Sequence, residues 1–328
     1  MKLRGNSIFS ALLALLLPFA RRAPVVFVRD DEPFVFHLEK ESLKIVQFTD
    51  LHLAFGFDKH DRQTLALITK ITQETKPDLI VLSGDQTLSI TAPARHRQLI
   101  RHMESLETPW TFVFGNHEGD YHKIEHLLDV IFTMKTKYMY FKVGPILESG
   151  GFGNFAINYL YEGNPFYNIY LLDSKAELNI PNSDKLFVYD YFSAAQVEWF
   201  KNKVMVDKVN NTKSTVFAHI PLIQYEEALL PENKDKMKGV VGEWISHQEV
   251  DTGFFDAMVQ STVSEAFFAG HDHLNNFTYE KDGIILGYGQ ISGYNGYGTL
   301  KRGARIIEID ETRKFSTYIV YEDLSYER

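Results

Sequence analysis

Five apolar runs in this chain each end in a side chain that can hold a proton or a metal ion. Lys44–Thr49 (KIVQFT) is followed by Asp50 and His52, and Leu79–Ser83 (LIVLS) by Gly84 and Asp85. Trp110–Phe114 (WTFVF) runs into Gly115, Asn116 and His117. Ser214–Ala218 (STVFA) precedes His219, and Ala266–Ala269 (AFFA) precedes Gly270, His271, Asp272 and His273. Short uninterrupted runs of this kind read as strands buried on both faces. In open α/β sheets the carboxyl ends of strands gather at one edge, where ligands bind. The pattern therefore predicts one polar cluster, assembled from residues spread between positions 50 and 273.

The segments between the runs support that architecture. His60–Lys76 carries Leu65, Ile68 and Ile71 on one face, with Pro77 ending the helix. Arg95–Leu106 aligns Leu99, Met103 and Leu106, and Ile124, Leu127, Leu128 and Ile131 form another helical stripe. Strand–helix alternation of this kind argues for crossover units and a largely parallel sheet. The second half is richer in strands: Asn154–Tyr161, Asn168–Asp173, Thr278–Glu280, Ile284–Gly287, Ala304–Ile309 and Phe315–Val320. Ser193 with Gln196 marks a capping-box helix start, continued by Val197, Phe200 and Val204. The charged stretch Pro231–Gly239 reads as a surface loop. The expected fold is a single α/β domain over residues 40–328, with two packed mixed β-sheets flanked by helices. No internal repeat or interdomain linker is visible.

Composition narrows the chemistry. The chain has 328 residues, 45% of them apolar, which is ample for one large core. It contains no cysteine, so thiolate metal sites, disulfides and a cysteine nucleophile are excluded. Any metal must be held through His, Asp, Asn, Glu or backbone oxygen. The formal net charge of −9 argues against a long nucleic-acid partner, which would require clustered Lys and Arg. At the N-terminus, Lys2 and Arg4 precede an apolar run from Ile8 to Ala20. That run is short for a stable membrane span and fits a signal-peptide core over residues 1–23, which implies the secretory pathway. The alternatives are a cytoplasmic protein with a packed N-terminal helix, or an uncleaved anchor. Of two sequons, at Asn210 and Asn276, the second lies too near the polar cluster to be an attractive glycan position.

Asp50, His52, Asp85, Asn116, His219, His271 and His273 are the candidate metal ligands. A mixed His, carboxylate and amide set suits iron, manganese or zinc rather than calcium. Taken singly, each piece has an ordinary explanation. Asp50-Leu51-His52 and Gly84-Asp85 could be turns, and His219 a hydrogen-bonded core histidine. Together, in order and at strand ends, they favour a metal centre. Glycine before Asp85, Asn116 and His271 is expected to let the backbone turn sharply. The remaining histidines, including His96, His102 and His122, have no such context and are read as surface or packing residues.

These residues resemble the pattern of the calcineurin-like metallophosphoesterases: D-x-H, GD, GNH, a lone His, and GHxH. All five elements stand here, between about residues 43 and 309. The wording FAHIPL, GHDHLNNF and GYGQISGYNGYG is similar to the purple-acid-phosphatase-like branch, including its plant and fungal phosphatases without an N-terminal β-domain. The resemblance implies a metallophosphoesterase-like β-sandwich core holding two ions. One would be bound by Asp50, His52, Asp85 and His273, the other by Asp85, Asn116, His219 and His271, with Asp85 bridging. Purple enzymes carry a tyrosine ligand three residues after the bridging aspartate, and Leu88 stands there. The iron–tyrosinate pair is therefore not expected, and the metal is left open among iron, manganese and zinc.

The implied reaction is hydrolysis of a phosphate monoester, free or on a phosphoprotein, by in-line attack of a metal-bridging hydroxide. His117 is the expected catalytic residue, either as acid at the leaving oxygen or as a group orienting Asn116. Glu118 and Asp272 could support the ligands. Tyr294, Tyr297 and Arg305 could meet substrate, although turn and packing roles are favoured for them. Phosphodiester or nucleotide hydrolysis on the same metal core, or a non-catalytic scaffold, are the alternatives. The sequence says nothing of oligomeric state.

Overall fold

The computed structural model describes residues 27–56, 58–178 and 187–327, so the signal-like segment at residues 1–23 lies outside the described residues. Strand β2 (Leu43–Phe48) is buried almost throughout, as its apolar run requires, and lies inside a six-stranded sheet. Its neighbours are β3 (Leu79–Ser83), then β4 (Trp110–Val113), on one side. On the other side are β12 (Gly303–Ile309), β13 (Phe315–Tyr321) and β14 (Tyr326–Glu327). β2, β3 and β4 are parallel, and the rest pair antiparallel.

The second sheet has eight strands. In order they are β1 (Phe34–Leu38), β5 (Phe155–Tyr161), β6 (Asn164–Leu171), β7 (Lys213–Phe217), β9 (Ser264–Ala269), β11 (Ile284–Tyr288), β10 (Thr278–Lys281) and β8 (Met237–Lys238). Its centre, from β6 through β7 and β9 to β11, is parallel. The fold is thus α/β with two mixed sheets, as the sequence implies.

Period-two alternation divides the apolar side chains between two cores. Phe217 and Phe268 join Ile45, Ile80 and Phe112 in the core shared by the two sheets. Phe267 and Val216 instead point outward and meet Phe200, Phe254 and Met258. Those last three come from helices α4 (Ala194–Asn210) and α5 (Phe254–Ser261). Helices α1 (Lys59–Thr75), α2 (Ala92–Glu104) and α3 (Ile124–Phe132) bury Ile68, Leu99 and Leu128 in the first core. Each such buried side chain contributes roughly 1.5–3 kcal/mol of apolar transfer.

Element ends follow local chemistry. In α1, Asp58 caps the N-terminus by accepting from the Asp61 amide. Lys76 adopts φ 48° at the other end, a left-handed cap in which its amide donates to the Thr72 carbonyl before Pro77. Helix α2 begins earlier than expected, with Pro93 in its first turn, where a missing N–H costs nothing. The capping box forms as read: Ser193 Oγ accepts from the Gln196 amide, and Gln196 Oε1 accepts from the Ser193 amide. The Pro231–Gly239 stretch is not all loop. Met237–Lys238 pair with Thr278 and Tyr279, adding a short edge strand. Strand β1, helix α5 and strand β14 go unread in the sequence. Asn276 is buried, with its side-chain amide donating to Gln290, so that sequon cannot carry a glycan in the folded chain. Among the described residues, no helix is long and apolar enough to cross a membrane.

Asp207, on α4, offers a test of the second core. Burial pushes its carboxyl up from 3.8 to about 6, against the opposing effect of hydrogen bonds from Tyr170 and Asn168. The folded state therefore favours the protonated form. This group's contribution to stability is fully present below about pH 4 and is lost as pH rises through about 6. Urea unfolding of wild type and Asp207→Asn should diverge across that window. The wild type should lose about 2–3 kcal/mol relative to the variant between pH 4 and 7, and parallel profiles would refute the account.

Candidate metal centre

The two sheets meet at the carboxyl ends of β2, β3, β7 and β9. Gln47 of β2 donates to Ser83 Oγ at 2.8 Å and to the Ala269 carbonyl at 3.0 Å, tying the sheets together beneath the polar cluster. Beyond this seam the chain leaves each strand abruptly. Asp50 (φ 54°), His52 (φ 46°), Asp85 (φ 52°) and His271 (φ 79°) all occupy the left-handed region, which is unfavourable for residues with a Cβ. Backbone bonds hold them there: the Asp50 amide donates to the Gly84 carbonyl and the His52 amide to the Asp85 carbonyl.

The glycines do something other than expected. Gly84 has a positive φ, whereas Gly115 and Gly270 do not. What all three provide is clearance. A Cβ would fall 2.3 Å from His219 Nδ1 at Gly84, 2.2 Å from Asp85 Oδ1 at Gly115 and 2.0 Å from Thr49 Oγ1 at Gly270.

All seven candidate ligands are brought together and buried. Asp85 Oδ2 lies 3.6 Å from His52 Nε2 and 3.4 Å from His219 Nε2. Asp50 Oδ1 lies 3.4 Å from His273 Nε2. His52 Nε2 and His273 Nε2 face each other at 3.0 Å, and His219 Nε2 faces Asn116 Oδ1 at 3.0 Å. Two overlapping groups, Asp50–His52–His273 and Asp50–Asp85–His219, have donor atoms close enough to share an ion.

The donor chemistry fits a cation. Burial pushes the His52 imidazole down to about 4 and that of His271 down to about 3, leaving neutral rings with lone pairs. His271 Nε2 is buried without a hydrogen-bond partner. Burial alone would raise the carboxyl of Asp50 and of Asp85. The neighbouring histidines more than offset it, and both groups lie below the usual carboxylate range. Burial would likewise lower His219, but Asp85, then Asp50 and the Ser83 carbonyl, raise it to about 10. A proton on His219 is here the stand-in for positive charge that the two aspartates demand. His219 Nδ1 donates to the Ser83 carbonyl at 2.9 Å, which aims Nε2 at the cluster.

Two residues left open by the sequence have defined contacts. Glu118 accepts from the amides of Gly115, Thr87 and Asp85, clasping the turn after β4 to the turn after β3. Burial and the charge of Asp85 raise its carboxyl to about 7. Asp272 accepts from the Tyr288 hydroxyl at 2.6 Å and the Ser246 amide at 3.0 Å, and so fixes the turn carrying His271 and His273. His117 stands at the edge, one-third exposed, with Nδ1 2.8 Å from Asp120 and Nε2 3.9 Å from Asp85. Burial would lower its pKa, but Asp85 and Asp120 raise it.

Above the cluster is a cleft of about 320 Å³. Tyr297 lines it, but Tyr294 and Arg305 do not. Arg305 is buried beside β11, donating to the carbonyls of Tyr288 and Asn276 and to Thr317. Tyr294 donates to Glu322. Glu177, Phe187, Tyr189 and Asn295 also line the cleft and go unread in the sequence. They lie in connecting segments with no strand-end position to mark them. Among the other histidines, His96 is a buried packing residue, pushed down to about 4 by burial, and His102 faces Thr69.

With this fold and site in view, comparison with known proteins gives a consistent result. The family model for calcineurin-like phosphoesterases matches residues 43–275. The chain belongs to the calcineurin-like phosphoesterase family. Its relatives include proteins named as purple acid phosphatases. Two Arabidopsis thaliana proteins, named probable inactive purple acid phosphatases 14 and 29, are 27% and 25% identical to it. The alignments cover 81% and 94% of this chain and 74% and 85% of theirs. Phosphatase DCR2 of Saccharomyces cerevisiae is 26% identical over 83% of this chain and 52% of its own length. Among solved structures, a dimetal phosphatase from Danio rerio superposes with a TM-score of 0.55. It is 11% identical and covers 85% of this chain and 99% of its own, which speaks to the fold alone.

Two outcomes test the site. Zinc or manganese added to chelator-treated protein should raise its melting temperature, because ions that bind only the folded state stabilise it by about 4 kcal/mol at a thousandfold excess over Kd. An unchanged melting temperature would count against a metal centre. Arg305→Met should cost about 1–3 kcal/mol in urea unfolding, because two buried carbonyls lose their donor. It should leave the KM for any ester substrate unchanged, and a raised KM would restore Arg305 to the site.

Proposed function

We propose that this chain hydrolyses phosphate monoesters on a centre of two metal ions held by Asp50, His52, Asp85, Asn116, His219, His271 and His273. The observation that carries this reading is Asp85 Oδ2, poised between His52 and His219 at the floor of an open cleft. A carboxylate there could be shared by two ions. Two ions there would supply charge for the phosphoryl oxygens and a nucleophilic water of lowered pKa.

The chain's own residues supply the rest. Asp50 and Asp85 hold negative charge where cations are needed, and His219 is aimed by its bond to Ser83. His117 is the general acid. Its Nδ1 is engaged by Asp120, and Asp85 and Asp120 raise its pKa, which favours the protonated ring that could pass a proton from Nε2 to the leaving oxygen. Leu88 lines the cleft in place of a tyrosine, so the set supports iron, manganese or zinc without a tyrosinate. The apolar Ile8–Ala20 run supports a secretory location.

The names of the two plant relatives favour a second reading, in which the fold serves as a non-catalytic scaffold. One assay separates the readings. Metal-replete protein is given phenyl phosphate beside its diphenyl diester, with Asp85→Asn and His117→Ala in parallel. The proposal expects monoester turnover, abolished in Asp85→Asn and reduced about 10²–10⁴-fold in His117→Ala. No turnover of either ester would favour the scaffold, and a diester preference would change the substrate class.

A further inference from the structure

The cleft above the metal-ligand cluster has an uneven lining. One wall is formed by Phe187 and Tyr189, whose rings lie nearly parallel with centroids 6.5 Å apart. Tyr189 also meets His271 edge-on at 4.5 Å. Another part of the lining is Tyr297, stacked on His273 at 4.1 Å and 22°. The Tyr297 hydroxyl donates to Glu243 Oε2, while Glu243 Oε1 accepts from the Leu274 amide. The ring is thus clamped before any ligand arrives, which lowers the ordering cost of binding against it.

These aromatics are also open to solvent. Phe187 is 60% exposed and Tyr297 55%. Scattered exposed apolar side chains need no explanation, but two exposed aromatic rings lining one cleft offer a surface that a ligand could cover.

The charges at the same opening are one-sided. No Lys or Arg lines the cleft among the described residues, whereas Glu177 and Asp272 do. Asp120 at His117 and Glu243 at Tyr297 add further carboxylates at its border. A single phosphoryl group could be neutralised by ions at the floor, but a second phosphate further out would face carboxylates, with no Lys or Arg among the described lining residues to pair with it.

We propose that the leaving group accepted by this cleft is an aromatic ring without a second phosphate, held between the Phe187–Tyr189 wall and Tyr297. Glu177 and Asp272 in the lining disfavour nucleoside polyphosphates and multiply phosphorylated sugars by charge. The inference rests on the phosphatase reading above and names its substrate class.

The test uses binding, so that leaving-group reactivity plays no part. Manganese-loaded full chain is titrated calorimetrically with phenylphosphonate, methylphosphonate and benzene-1,4-diphosphonate. Phenylphosphonate should bind about ten-fold more tightly than methylphosphonate. The ratio should fall to about two-fold in Phe187→Ala, with methylphosphonate affinity unchanged. Benzene-1,4-diphosphonate should bind more weakly than phenylphosphonate, by a margin that shrinks at high salt. Equal affinities for phenyl- and methylphosphonate, a ratio untouched by Phe187→Ala, or tighter binding of the diphosphonate would each overturn the proposal. Turnover of phenyl phosphate is followed on the same samples. Ring-selective binding without turnover supports the inference and sinks the catalytic reading, and turnover without ring selectivity does the reverse.

Discussion

Asp50 and Asp85 are carboxylates withdrawn from water, and much of the surrounding structure answers to that burial. An ionised carboxylate in a dry interior is tolerated only when positive charge or hydrogen-bond donors surround it. The backbone amide of His271 donates to Asp50, and that of His117 to Asp85. Around these sit His52, His219 and His273, within 3.4–3.6 Å of one carboxylate or the other. Left-handed backbone at four of the candidate ligand positions is accepted because it delivers these groups to one point.

The same requirement explains the buried groups that never reach a ligand. Glu118 joins two turns by accepting three amides, so the segments carrying Asp85 and Asn116 cannot drift apart. Gln47 bridges the sheets beneath the cluster, and Asp272 anchors the turn between two histidines. These contacts hold the side chains of the cluster in place.

Much of this was legible in the sequence, for a definite reason. A strand buried on both faces must be apolar throughout, so the first polar residue after it stands out, and in a parallel sheet those residues share an edge. Asp50, Asp85, Asn116, His219 and His271 all announce themselves in this way. Residues that reach the site from irregular segments do not. Glu177, Phe187 and Tyr189 lie where no periodicity operates, and only the folded chain brings Tyr189 to His271. Arg305 takes the packing role favoured for it over substrate contact. It sits beside a Gly- and Tyr-rich segment near the site in sequence, yet β12 turns its side chain into the interior, where the Tyr288 and Asn276 carbonyls take its donors. All three glycines provide room for a neighbour, and only Gly84 also has the positive φ of a turn former.

The pairing of β12 with β2 has a consequence for how such a chain is made. Gln47 lies opposite Arg305, so the central strand of the six-stranded sheet gains its second neighbour from a segment synthesised long after it. His52 and His273, whose rings face each other, are 221 residues apart in sequence. A growing chain can form β2, β3 and the helix between them from local contacts, but β2 must wait with one edge uncovered. That edge is apolar, unpaired and able to join a stranger's strand until the late segment docks. The architecture that collects seven distant side chains at one point thus also makes the nascent protein vulnerable for most of its synthesis.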